Sequence, residues 1–119
     1  MRVLLVVSFF CLAGGLAQAE PRYMLGRELI VGFDAEARVT RGVSRRDDVA
    51  DSYRVYGYIS GVVDSMKNIG IFCVPKSVPL GQISAIVEKY VRANPESWGQ
   101  GAEELVFQAL HPVYPCPPK

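Results

Sequence analysis

The chain has 119 residues, and its 13 lysine and arginine residues against 12 aspartate and glutamate residues give a formal net charge of +1. This balance creates no strong field for nucleic acid or an anionic membrane surface, so neither is expected as a partner. The length fits one domain and little more.

The first nineteen residues have the pattern of a secretory signal peptide. Arg2 supplies a short positive segment, residues 3–12 form an apolar run too short to span a bilayer, and Ala17-Gln18-Ala19 is a small-residue cleavage site. We therefore expect cleavage after Ala19, a mature chain that starts at Glu20, export from the cytoplasm and no membrane attachment afterwards.

The cysteines indicate one cross-link. Cys11 lies in the apolar run, and the bulky residues before it argue against lipid attachment, which leaves Cys73 and Cys116 in the mature chain. A mature chain of about 100 residues buries a modest core, and in an oxidising compartment a disulfide is the usual supplement. A bridge between Cys73 and Cys116 would stabilise the fold by about 4 kcal/mol through loop entropy. Two free thiols or an intermolecular bridge are the alternatives.

Residues 20–46 are predicted to be an N-terminal lead-in and loop. Residues 20–27 are interpreted as extended, residues 28–31 fit a short helix or a strand equally well, and residues 33–46 are expected to form a surface loop. Four arginines lie in this loop: Arg38, Arg41, Arg45 and Arg46. A solvated connector is favoured over a recognition patch for a carboxylate or phosphate partner.

A helix is predicted to begin at Ser44 or Asp47, either of which can cap it. Apolar residues then recur at intervals of three and four: Val49, Tyr53, Tyr56, Ile59, Val63 and Met66. Gly57, Ser60 and Gly61 interrupt the pattern with small side chains. Because glycine within a helix costs up to about 1 kcal/mol relative to alanine, these positions predict close packing of another backbone or ring.

Two further helices are predicted after a connector at residues 67–79. The first presents Ile83, Ile86, Val87, Tyr90 and Val91 at helical spacing. The second is expected to start with Asn94 as its N-cap and Pro95 in its first turn, and to present Trp98, Ala102, Leu105, Val106, Ala109 and Leu110 on one face. Pro112 ends it, and the tail should lie extended over the bundle as far as Cys116.

Residues 20–119 are therefore predicted to form a single all-α domain, a small bundle of about four to five helices tied by one disulfide, with residues 47–119 as its core. The single histidine, His111, and two oxidised cysteines provide no metal cage and no nucleophile pair. His111 is better explained as a partner for the C-terminal end of a helix dipole. No cofactor and no enzymatic activity are expected, which leaves a binding or inhibitory module.

An ordered series of motifs resembles the Rap/Tai immunity proteins. The series is Gly57-Tyr58-Ile59-Ser60-Gly61-Val62-Val63-Asp64, Phe72-Cys73-Val74-Pro75, Gln82, Val87-Glu88-Lys89-Tyr90, Asn94-Pro95-Glu96, Ala102, Leu105-Val106, Ala109-Leu110 and Tyr114-Pro115-Cys116. The resemblance implies an all-helical periplasmic protein, a homodimer, that protects a bacterium by occluding the cleft of a peptidoglycan amidase effector of type VI secretion.

The chain departs from the family pattern at two positions. Members commonly carry two further cysteines, one near Gly32 or Phe33 and one where this chain has Val55. The joint absence of both is expected if those two cysteines pair with each other, which leaves Cys73 with Cys116 as the retained bridge. The N-terminal end should then be less firmly tied.

Occlusion of a cleft requires exposed residues that fit the partner, and loops and helix ends are where such residues tend to lie. The candidates for this contact are Lys67, Asn68, Lys76, Ser77, Glu96, Trp98 and Gln100. Trp98 would be the aromatic anchor. It is also in phase with Ala102 and Leu105, and this favours a place in the core.

Two other functions fit a small exported helical domain. One is a periplasmic acid-stress chaperone, which would expose an apolar face as carboxylates lose their charge. The balanced charge of the mature chain disfavours it. The other is an envelope-associated protein of the same fold that has no amidase partner.

Overall fold

The computed structural model describes residues 23–118, and within them the chain is all-helical. Its elements are α1 (Gly26–Thr40), α2 (Asp48–Asn68), α3 (Leu80–Ala93), a 3-10 turn (Pro95–Ser97) and α4 (Ala102–Leu110). The predicted all-α bundle is thereby confirmed. The predicted signal peptide, its cleavage site and Cys11 lie outside the described residues. Within those residues, no helix combines the length and the hydropathy needed to cross a membrane.

Helix α1 corrects the prediction for the N-terminal part of the chain. Residues 28–31 are helical, and the surface loop predicted for residues 33–46 is wrong as far as residue 40. The carboxylate of Glu28 accepts a hydrogen bond from the Leu25 N–H at 2.8 Å, which satisfies a backbone donor at the start of the helix. Leu29 and Phe33 are buried one turn apart, so packing against the other helices stabilises α1.

Helix α2 is confirmed, but its buried face differs from the apolar series in the sequence. Val49 and Tyr53 are 49% and 75% exposed. The buried positions are Asp48, Ser52, Val55, Ile59 and Val63. This rotation follows from α1, which was not predicted and packs against the side of α2 that carries Ser52 and Val55.

The close approach predicted at Gly57 and Gly61 is wrong for contacts within the chain. A Cβ atom added at either glycine would meet nothing within 4 Å. The close approach occurs instead at Gly32 of α1, where an added Cβ would lie 2.7 Å from the Cβ of Val55 and 3.0 Å from the carbonyl oxygen of Asp51. Glycine at residue 32 therefore allows α1 to lie directly against α2.

Helix α3 contains the apolar series predicted for it, and Ile83, Val87 and Val91 of that series are buried. The helix predicted to start at Asn94 is divided, because a 3-10 turn and a short loop precede α4. Asn94 does not cap the following helix through its side chain. Its side-chain amide donates to the carbonyl oxygen of Tyr90 at 2.8 Å, so it satisfies an acceptor at the end of α3.

The loop before α4 holds the N-terminal end of α1. The Gly26 N–H donates to the Gln100 carbonyl at 3.0 Å, and the Arg27 N–H donates to the Trp98 carbonyl at 2.9 Å. The Ala102 N–H completes the junction by donating to the Met24 carbonyl at 2.9 Å. These three bonds satisfy backbone groups that helix ends leave free.

One hydrophobic core joins the four helices and the connector after α2. Its largest fully buried side chains are Phe72, Leu29, Ile59, Leu105 and Leu110. At the edge of this core, Cys73 and Cys116 form the intramolecular disulfide, and the Cys73 N–H donates to the Tyr114 carbonyl at 2.8 Å. The tail after α4 is therefore fixed to the connector by a covalent bond and a hydrogen bond.

Candidate partner-binding surfaces

Four of the predicted contact residues lie at the disulfide end of the bundle. Lys67 and Asn68 are exposed at the end of α2, and Lys76 and Ser77 are exposed in the connector. A depression of about 410 Å³ has both lysines on its lining together with Asp64 and Cys73. The Asp64 carboxylate accepts a hydrogen bond from the Lys67 ammonium at 2.6 Å. The described ion pairs include none for Lys76, the other lysine of this lining.

The other three predicted residues lie beside the loop before α4. Glu96 and Gln100 are exposed, whereas Trp98 is half-buried against the core. The indole N–H of Trp98 donates to the Val91 carbonyl at 2.8 Å. This bond satisfies an acceptor near the end of α3, so Trp98 has a structural role in addition to any contact with a partner.

The two groups do not form one continuous surface. Gln100 lies just before the first residue of α4, while the connector that carries Lys76 is bonded to Tyr114, beyond the last residue of that helix. A helix of nine residues is about 14 Å long. A partner that covers both groups would have to extend along α4.

A groove on α2 was not predicted from the sequence. It measures about 450 Å³ and is lined by Gly57, Tyr58, Gly61, Val62, Ser65, Met66 and Glu103. The Tyr58 hydroxyl donates to the Glu103 carboxylate at 3.2 Å, and burial together with that carboxylate raises the pKa of Tyr58 to about 12. The two residues are 45 positions apart, so no local pattern could have paired them.

A second depression lies on the other side of Gly57. It measures about 670 Å³, and its lining includes Tyr53, Tyr56, Glu36, Ser52 and Leu80. The Ser52 hydroxyl donates a short hydrogen bond to the Glu36 carboxylate, which joins α1 to α2 at its floor. Burial, with the carboxylates of Glu36 and Glu88 as smaller causes, raises the pKa of the Tyr56 hydroxyl.

The arginine-rich segment has one member that joins two helices. The Arg38 guanidinium donates to both carboxylate oxygens of Asp48 at 2.8 and 2.7 Å, and the Arg45 N–H donates to the same group at 2.7 Å. The hydrogen bonds from Arg38 and Arg45 lower the pKa of Asp48 from 3.8 to about 2. Arg41 and Arg46 are exposed on the loop between the two helices.

The histidine, cysteine and acidic side chains of the described residues do not gather into a metal centre. Within residues 23–118, no three His, Cys, Asp or Glu side chains come together as metal ligands would. His111 follows the last residue of α4, where the helix dipole favours a cation, and its ring lies 5.1 Å from that of Phe107.

Gly32 on α1 and Val55 on α2, two positions near which the resemblance led us to look for cysteines, are adjacent in this structure. Gly32 faces Val55 at the point where α1 lies directly against α2. Such positions are adjacent enough for a disulfide after a small separation of the two helices, since bridged Cβ atoms lie about 3.5–4.5 Å apart. In this chain the two helices meet here through direct packing of Val55 on Gly32.

The fold and its surfaces define a small helical-bundle protein tied by one disulfide, with open depressions at the disulfide end and along α2. The sequence model of the Rap1a immunity proteins matches residues 35–116, which extend from the middle of α1 to Cys116. The chain belongs to this family, and the resemblance found in the sequence is confirmed. Family membership implies a cognate effector protein as the partner. Searches of the curated proteins and of the solved structures returned no match.

Proposed function

We propose that this protein is a periplasmic immunity protein that binds and occludes a peptidoglycan amidase delivered by type VI secretion, and that it acts as a homodimer without turnover or cofactor. The match of the Rap1a family over residues 35–116 carries the proposal. The signal-peptide pattern at residues 1–19 supports export to the compartment where cell-wall amidases act. A disulfide between Cys73 and Cys116 fits the same oxidising compartment.

The disulfide end is the surface we assign to the amidase. Lys67 and Lys76 line one depression there, and Asn68 and Ser77 are the exposed residues that follow them in the sequence. The connector that carries two of these residues is held by the disulfide and by the hydrogen bond from Cys73 to Tyr114. A segment fixed before binding loses little conformational entropy in the complex, which favours tight occlusion.

The test uses the oxidised chain of residues 20–119 and the secreted peptidoglycan amidases of the same bacterium. We expect a stoichiometric complex with one amidase and loss of its cell-wall cleavage. Lys67→Glu/Lys76→Glu should weaken inhibition, while Lys89→Glu, an exposed lysine on α3, should not. Failure to bind every such amidase would overturn the amidase assignment and transfer the function to the chaperone or envelope alternatives. Equal effects of the two variants would overturn the assigned surface.

A further inference from the structure

Helix α2 carries a ridge of exposed residues along one side. The ridge consists of Val49, Tyr53, Gly57, Gly61 and Ser65, all exposed and spaced by four residues. Residues at this spacing form the ridges through which helices pack on one another. Large side chains occupy its first half and small ones its second half.

The two glycines of the ridge have no packing explanation within residues 23–118. Both lie inside a helix of 21 residues, where glycine costs up to about 1 kcal/mol relative to alanine. An added Cβ would meet open space at each, and neither has a positive φ, which among the glycines occurs at Gly42 and Gly70. A contact from outside the chain would account for both.

We propose that this ridge is the interface between two copies of the chain, with their α2 helices antiparallel and a two-fold axis at Gly57. The inference rests on the homodimer of the proposed function and names its surface. It does not depend on which effector is bound.

The sizes of the side chains match under this symmetry. An antiparallel pair with its axis at residue 57 places each position opposite the one equally far on the other side of the axis. Tyr53 of one copy then lies opposite Gly61 of the other, Val49 lies opposite Ser65, and Gly57 lies opposite itself. The depression of about 450 Å³ that Gly57 and Gly61 line provides room for the Tyr53 ring of the second copy.

The charges match under the same symmetry. Asp64 falls opposite Ala50, one helical turn from Arg54. The Asp64 side chain is 60% exposed and that of Arg54 is 48% exposed. Each already pairs with a residue of its own helix, Asp64 with Lys67 and Arg54 with Asp51, so a contact between the copies would extend or exchange these exposed pairs. A parallel pair would instead oppose Tyr53 to Tyr53 and Asp64 to Asp64. Side-chain size and charge therefore both favour the antiparallel arrangement.

The first experiment measures the mass of the oxidised chain in solution by light scattering and sedimentation. We expect the unmodified protein to be a dimer and Gly61→Leu to be a folded monomer, since a leucine at Gly61 would occupy the space assigned to Tyr53. The matched control is Gly81→Leu, because Gly81 is also an exposed helical glycine with open space at its Cβ, but on α3. A monomeric unmodified protein at about 0.1 mM would overturn the proposal.

The second experiment tests the axis directly. Gly57→Cys places a thiol next to its own symmetry mate, within the Cα separation of about 4.4–6.8 Å that a disulfide requires, so mild oxidation should join two copies. Gly81→Cys should not cross-link comparably. Circular dichroism verifies that each variant is folded. A dimer that Gly61→Leu leaves intact, or that Gly57→Cys does not cross-link, contradicts this interface.

Amidase inhibition by the same samples separates this inference from the proposed function. A dimer with the expected variant behaviour that inhibits no amidase would overturn the function and leave the interface established. Conversely, a monomer that inhibits an amidase would overturn the interface and leave the function established. If amidase binding is lost in Gly61→Leu while the free protein is monomeric in every form, the ridge belongs to the effector contact.

Discussion

Asp48 shows how one side chain can determine the geometry between two helices. It begins α2, it is 4% exposed, and it accepts hydrogen bonds from the Arg38 guanidinium and the Arg45 backbone. Bidentate bonds between arginine and a carboxylate fix both distance and orientation. The angle at which the chain passes from α1 to α2 is therefore set by polar contacts, while the apolar residues of the two helices provide the burial.

Acid should weaken the fold through this carboxylate. Since the pKa of Asp48 is lowered from 3.8 to about 2 on folding, its charged form stabilises the folded state above pH 3.8, and this contribution is lost as pH falls toward 2. We expect Asp48→Asn to lower the free energy of unfolding at neutral pH, with a difference from the unmodified protein that narrows between pH 4 and pH 2. Urea unfolding at several pH values, followed by circular dichroism, measures the free energy of unfolding of both proteins.

The neighbouring exposed residue provides the control for that experiment. Asp47 makes no side-chain capping bond to α2. Asparagine is an equally good residue at such a position, so Asp47→Asn should leave both stability and its pH dependence unchanged. If the two variants behaved alike, or if the loss in Asp48→Asn did not vary with pH, the role assigned to the ion pair would be rejected.

At the scale of the helices, the sequence predicts α3 well and α1 poorly, for a physical reason. Helix α3 has apolar residues at helical spacing over more than two turns, and three of them are buried as the spacing predicts. In α1 the buried positions include Gly32 and Ala35, which carry no strong apolar signal. Small residues permit helices to approach, but local periodicity does not distinguish them from loop residues.

The contact between α1 and α2 distinguishes Gly32, which lies against Val55, from Gly57, which faces open space. Gly32→Ala should destabilise the fold by about 1–3 kcal/mol, because the added methyl group would overlap Val55. Gly57→Ala, in a helix interior with open space at its Cβ, should instead stabilise it by about 0.5–1 kcal/mol. Thermal and urea unfolding of dilute protein, where association does not contribute, measure both changes.

A double variant tests whether overlap with Val55 causes the stability loss expected for Gly32→Ala. Val55→Ala removes the methyl group nearest to the added atom, so the loss in Gly32→Ala/Val55→Ala should be smaller than the sum of the two single losses. Additive losses would mean that the overlap with Val55 is not responsible. A stability loss in Gly57→Ala would contradict the open environment assigned to that glycine.

At the scale of the whole molecule, the fold class and the cross-link were predictable from the sequence, whereas the surfaces were not. The all-helical class follows from periodicity, and the disulfide is predicted from two cysteines beyond residue 19 together with a signal-peptide pattern. The groove at Tyr58 depends on Glu103 from another helix, and the division of the last helix depends on bonds between the Trp98 loop and the N-terminal end of α1. Such contacts between distant parts of the chain have no local signal.

Removal of the cross-link should destabilise the whole domain. The bridged cysteines are 43 positions apart, so Cys73→Ala/Cys116→Ala should lower the free energy of unfolding by about 4 kcal/mol in the loop-entropy account. The measurement is urea unfolding with and without a reducing agent. Reduction should bring the unmodified protein close to the variant and should not affect the variant. Equal stability of the oxidised protein and the variant would show that the bridge does not stabilise the domain.

The number of cysteines also simplifies how this protein matures. A chain with four cysteines has three ways to pair them, and a wrong pair must be broken before the right one forms. Beyond residue 19 this chain has only Cys73 and Cys116, and hence a single intramolecular product of oxidation. Oxidation of these two thiols therefore needs an electron acceptor and no exchange of wrong bridges for right ones.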